Sequence, residues 1–158
     1  MNNHFSVIKL LSATLLFTVI SACSGQESGS SATESNSITM YKNATCQCCA
    51  KWADYLEENG FEVTQEPTAN LQIIKTEHDV PYDMSSCHTA IIGDYVVEGH
   101  VPAEDIRNLM EEQPDARGIA VPEMPIGSPG MEMPGRPAEP YKVFLFQEDG
   151  SREVYAQH

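Results

Sequence analysis

Basic residues are scarce in this 158-residue chain: 9 Lys and Arg stand against 23 Asp and Glu, a formal net charge of −14. A surface of that sign repels nucleic-acid phosphates and anionic lipid headgroups and attracts cations, which excludes DNA or RNA as a partner. The short signatures of common hydrolases and nucleotide-binding proteins are absent as well: there is no G-x-S-x-G, G-x-x-x-x-G-K-[ST], G-x-G-x-x-G or H-E-x-x-H. The carboxylates are numerous but scattered, as on a solvated face, and form no evident acid/base pair. No segment repeats, and the length rules out two large domains.

Long apolar runs are missing except at the start. Lys9 is followed by Leu10, Leu11, Ala13, Leu15, Leu16, Phe17, Val19 and Ile20, and then by small residues. Residues 1–22 therefore read as a secretory signal peptide whose apolar run is too short for a comfortable membrane span. Ile20-Ser21-Ala22-Cys23 resembles the bacterial lipoprotein box, in which the cysteine is acylated and becomes the mature N-terminus. The alternative is an ordinary cleaved signal with a stray cysteine. Lipidation at Cys23 predicts a cell-envelope protein facing the periplasm, touching the membrane through its anchor only. Ser24 after the cysteine favours the outer membrane in a Gram-negative host. Residues 24–37 have no large apolar side chain and form a flexible tether, so the folded domain is expected over 38–158.

Within that domain, Ile38 to Lys42 reads as a strand, and Cys48 to Asn59 as a helix with Trp52, Tyr55 and Leu56 on one face and Gly60 as its stop. Phe61, Val63 and Gln65 alternate with Glu62, Thr64 and Glu66 in a half-buried strand ending at Pro67. Leu71, Ile73 and Ile74 fit a short helix. Thr89 to Ile92 and Tyr95 to Glu98 form a hairpin around Gly93-Asp94. Pro102 opens a helix with Ile106, Leu109 and Met110 on its apolar stripe. Residues 122–140 are a long Met/Pro/Gly loop, and Tyr141 to Gln147 with Glu153 to Tyr155 close the chain as a hairpin. The order predicts an α/β fold with a mixed sheet flanked by helices. A cysteine pair opening the helix after the first strand makes a thioredoxin-like architecture the best match.

Besides Cys23, the cysteines are Cys46, Cys48, Cys49 and Cys87. Cys46 and Cys49 make a C-x-x-C pair with a third thiol inside it, and His88 follows Cys87 directly. At a helix N-terminus the free amides and the macrodipole favour thiolate over thiol. C-x-x-C alone does not separate redox from metal work, so Cys46 and Cys49 are candidate redox-active residues. The third thiol favours a soft-metal site, Cu(I) or zinc, because exchange needs only two sulfurs. The plainest alternative is two structural disulfides, Cys46–Cys49 and Cys48–Cys87. Disulfides between near neighbours, however, close tiny loops and add little stability.

Met124, Met131 and Met133 lie in the irregular loop and are either soft thioether ligands or adaptable core cover. Met40 and Met84 flank the cysteine segments and could serve either purpose, whereas Met110 fits the core. His88 is a candidate ligand or proton carrier. His100 is either a cap for the following helix or part of a site, and His78 reads as a surface residue.

Five ordered motifs then carry a resemblance. Tyr41-Lys42-x-x-x-Cys46-x-Cys48-Cys49-x-x-Trp52, Ser86-Cys87-His88-Thr89-Ala90, Glu98-Gly99-His100-Val101-Pro102, Gly118-Ile119-Ala120-Val121-Pro122 and Met124-Pro125-x-Gly127-Ser128-Pro129-Gly130-Met131-Glu132 together resemble the CopG copper-resistance family. The likeness spans residues 38 to about 147. It implies a thioredoxin-like fold, copper binding through Cys46, Cys48, Cys49 and Cys87, and a part in copper tolerance beside other envelope copper-handling proteins. Gln47 stands where the family often has glycine, while the three sulfurs around it are kept. The resemblance also implies that Cys87, on the loop entering a central strand, closes over the other thiols. The expectation is a copper-binding protein holding Cu(I), more than one ion with bridging sulfurs, whose thiols could also cycle with the metal. The competing expectation is a thiol-disulfide oxidoreductase with no physiological metal.

Overall fold

In a computed structural model, residues 36–158 are described. The signal peptide expected over 1–22, the lipidation expected at Cys23 and most of the expected tether lie outside the described residues. The chain runs through β1 (Ser37–Lys42), α1 (Gln47–Glu58), β2 (Glu62–Pro67), α2 (Leu71–Glu77), a 3₁₀ turn (Tyr82–Met84), β3 (His88–Ile92), β4 (Tyr95–Glu98), α3 (Ala103–Glu112), β5 (Gly118–Ala120), β6 (Lys142–Phe146) and β7 (Arg152–Gln157). The strands form one mixed sheet in the order β2-β1-β3-β4-β5-β6-β7. The α/β class read from the sequence is thus the class observed. Among the described residues no helix is long and apolar enough to cross a membrane.

The sheet has two unequal cores. Adjacent residues of a strand point to opposite faces. Val97, Ile119 and Leu145 belong to the large cluster with Trp52, Leu56, Ile106 and Leu109, whereas their neighbours Val96, Ala120 and Phe146 join Met84 in a small one. The helices α1 and α3 therefore pack on one face. The α1 stripe is Cys49, Trp52, Ala53 and Leu56, all fully buried. Burying a side chain of leucine size contributes about 1.5–3 kcal/mol. Trp52 Nε1 donates to Val101 O at 2.9 Å, which ties α1 to the entry of α3. Tyr55 is only half-buried, because its hydroxyl sits at the rim and accepts the Ala103 N–H at 3.1 Å. Met40 and Met84 are both core residues.

Two expectations need correction, and one strand goes unassigned in the sequence. β2 is exposed from Glu62 to Pro67 apart from the half-buried Val63, because it is an edge strand paired only with β1, in parallel. Pro102 is the residue before α3 rather than its first residue. Gly118-Ile119-Ala120, legible in the sequence only as a motif, is a fully buried strand between β4 and β6. Three residues are too few to show a period, and glycine there serves close approach: a Cβ at Gly118 would lie 2.0 Å from Val96 O.

Candidate metal centre

Two chain segments converge at one end of α1. Cys46 is the residue preceding the helix, and its side chain makes no capping bond. Cys48 and Cys49 lie in the first turn of the helix. Cys87 arrives from the loop before β3. Cys46 and Cys49 are joined as a disulfide with Cα atoms 5.4 Å apart, while Cys48 and Cys87 are free thiols. The second disulfide, Cys48–Cys87, is therefore not formed. Cys48 Sγ stands 3.5 Å from Cys46 Sγ, and Cys87 Sγ stands 3.5 Å from Cys49 Sγ. All four sulfurs lie within 4.8 Å of one another. Burial, reinforced by the neighbouring Cys48, pushes the Cys87 thiol up to about 12. A thiol so placed stays protonated until a cation compensates the thiolate charge.

Two histidines complete the site. His100 is fully buried, and its Nδ1 lies 2.7 Å from the Pro129 carbonyl, which can only accept, so Nδ1 carries the proton. In the neutral ring Nε2 then presents a lone pair, 3.1 Å from Cys87 Sγ. His100 therefore makes no capping bond to α3 and lies against the Cys87 thiol instead. His88 Nδ1 stands 3.4 Å from the same sulfur, and its buried Nε2 has no hydrogen-bond partner among the described residues. The His88 ring packs against Trp52 at 4.4 Å between centroids and meets His100 edge-on at 5.0 Å. Burial lowers the pKa of both imidazoles, and for His88 the neighbouring His100 and Lys75 add to the effect. Both rings are neutral at pH 7, the form in which imidazole ligates metals.

The Met/Pro/Gly loop covers this end of α1. Ser128, Pro129 and Gly130 are buried, and a Cβ at Gly130 would come within 2.9 Å of Trp52 N and 3.0 Å of Cys48 O. Met131, the next residue, is half-buried. Met124 and Met133 are exposed; Met124 lines a groove with Pro125, Tyr141 and Phe144 that no cysteine or histidine of the cluster shares. The structure thus carries Met131, and not Met124, to the segment lying on the helix. His78, expected at the surface, is half-buried beside Arg117, with Nδ1 3.2 Å from the guanidinium.

Gly130 has φ +80°, so Gly130→Ala adds backbone strain to a steric clash. The substitution is expected to cost about 1–3 kcal/mol and to displace the Pro129 carbonyl from His100. The check is the solvent exchange of the His100 Nδ1 proton by NMR; unchanged exchange would refute it.

A small α/β protein with sulfur and neutral imidazole donors gathered at one helix end has the makings of a soft-metal binder. Comparison with known proteins gives the particular family. A family described as "Protein of unknown function, DUF411" matches residues 84–131. A solved structure titled "Copper resistance protein copG- Form 1" is 45% identical, with a TM-score of 0.72 over 77% of this chain and 96% of that one. "Copper resistance protein copG- Form 2" is 44% identical, with a TM-score of 0.73 over 77% and 97%. Comparison with curated proteins returns no significant match. The chain belongs to the CopG copper resistance protein family.

Proposed function

We propose that this chain binds copper as Cu(I) on the thiolates of Cys46, Cys48, Cys49 and Cys87, with more than one ion bridged by shared sulfurs, and so contributes to copper resistance. The observation that carries this reading is the confinement of four sulfurs within 4.8 Å of one another. The donor set fits the ion: thiolate and thioether sulfur are the soft ligands Cu(I) prefers. The Cys87-facing Nε2 of His100 and the His88 ring, whose Nδ1 lies 3.4 Å from the same sulfur, are available nitrogen donors, and the half-buried Met131 is the loop thioether to consider. The order of strands and helices over residues 37–112, with a cysteine pair opening α1, supports a thioredoxin-like reading of this half.

Reduction of the Cys46–Cys49 disulfide by two electrons frees all four sulfurs. In the reverse direction, two thiols lose two electrons and two protons, enough to convert two Cu(II) to two Cu(I). The observed disulfide favours this redox version and also keeps open metal-free thiol-disulfide exchange. Lipidation at Cys23, placing the domain in the envelope with the outer membrane as its site, is part of the same proposal. Fatty-acid labelling that persists in Cys23→Ser would refute it.

The deciding experiment is anaerobic Cu(I) titration of the reduced protein against a competing chelator. Several coppers retained per chain, with matching loss of titratable thiols, are expected. Failure to retain copper, with disulfide exchange by metal-free protein that Cys49→Ser abolishes, would replace copper binding by the oxidoreductase reading.

A further inference from the structure

Beneath the thiol cluster lies a buried polar network that none of the copper chemistry uses. Glu98, the last residue of β4, is fully buried. Its Oε1 accepts the Ser86 N–H at 2.5 Å and pairs with the Lys75 ammonium, while Oε2 accepts the Thr89 hydroxyl at 2.7 Å. Lys75 is the buried residue of α2 and also donates to Thr89 Oγ1 at 3.0 Å. Ser86 is held twice more. Its hydroxyl donates to the Glu123 carbonyl at 2.7 Å, and Gly99 presses its bare Cα against the side chain, where a Cβ would lie 2.7 Å from Oγ. Gly99 has φ +76°, which glycine alone adopts without strain. Three attachments thus converge on the residue immediately before Cys87.

We infer that Glu98 is a positioning residue for Cys87: its carboxylate clamps the Ser86 amide and so fixes the sulfur relative to α1 and to His100, with Lys75 as the counter-charge that makes a buried carboxylate tolerable. The inference rests on the copper reading for its consequence, but the clamp itself does not need metal. A buried ion pair is weak evidence of a stability device, because apolar residues of similar volume often do as well. Its directed bond to one loop amide, two residues before the His100 that faces the same thiol, is what assigns it to the site. Partners that orient first ligands typically contribute 10–100-fold in metal affinity.

Two double variants separate the clamp from mere burial. K75M/E98Q removes both charges and keeps an amide oxygen for Ser86 N–H, with the amide nitrogen facing Thr89; K75M/E98L removes the charges and the acceptor. Expected is near wild-type Cu(I) affinity in K75M/E98Q and a loss of about 10–100-fold in K75M/E98L. In the reduced, copper-free protein, Cys87 alkylation relative to Cys48 should quicken by about tenfold in K75M/E98L alone, since a released loop exposes its thiol more often. Equal behaviour of the two variants, whether both retain or both lose, overturns the clamp. If the wild type retains no Cu(I), the copper reading fails and the alkylation ratio still decides. If K75M/E98L does not fold, hydrogen exchange at the wild-type Ser86 amide decides instead. Protection at the level of the β3 amides supports the clamp, and free exchange overturns it.

Discussion

Cys87→Ser is expected to lower Cu(I) affinity by more than about 100-fold and to reduce the number of coppers retained, because replacing a ligand should exceed the effect of disturbing its outer partners. Cys87 is the thiol that joins the hairpin end to the helix end: its sulfur contacts Cys49 Sγ at 3.5 Å and faces both site histidines. A serine oxygen is a hard donor and does not substitute for thiolate toward Cu(I). The side chain is only half-buried, so the fold should survive and circular dichroism should be unchanged. The measurement is competition with a Cu(I) chelator under anaerobic conditions. Unchanged stoichiometry and affinity would remove Cys87 from the site and leave Cys46, Cys48 and Cys49 as its cysteine ligands.

The second large effect falls on stability. Glu98→Ala should destabilise the protein by about 3–5 kcal/mol, the usual consequence of stranding one partner of a buried ion pair. The loss leaves the Lys75 ammonium without a counter-charge and the Ser86 amide and Thr89 hydroxyl without their acceptor. Burial pushes the Glu98 carboxyl pKa up even though Lys75, Ser86 and Thr89 all pull it down. A fall in Tm of roughly 10 °C or more follows for a domain of this size. In contrast, K75M/E98L should lose far less than Glu98→Ala, since a matched apolar pair creates no unpaired charge. Denaturant midpoints of the two variants check the contrast, and equal losses would contradict it.

Much of the site is legible in the sequence because its grammar is local. A third thiol inside C-x-x-C at a helix start points to metal by spacing alone, and the four cysteines do converge. The His100 contact is legible too, through strand register rather than through any motif. A two-residue turn at Gly93-Asp94 pairs Ile92 with Tyr95 and Thr89 with Glu98. Counting outward by the same register sets Cys87 opposite His100. The Lys75–Glu98 pair is not legible, because charged residues are exposed by default and nothing local marks the exception. β5 escapes because its partners lie far off in sequence and its glycine is required by a neighbouring backbone rather than by its own propensity. The loop methionines are undecidable for a related reason: an irregular segment has no period from which to deduce which side chains turn inward.

The exposed edge at β2 has a consequence for behaviour at high concentration. An open strand is a template on which another chain can add, yet this one offers Glu62, Glu66 and Pro67 to any newcomer, and the opposite edge at β7 offers Arg152 and Glu153. Charge and a missing donor at the margins are how sheet proteins discourage indefinite lateral growth. A molecule guarded in this way can crowd without seeding fibrils, which suits a protein that carries free thiols at Cys48 and Cys87.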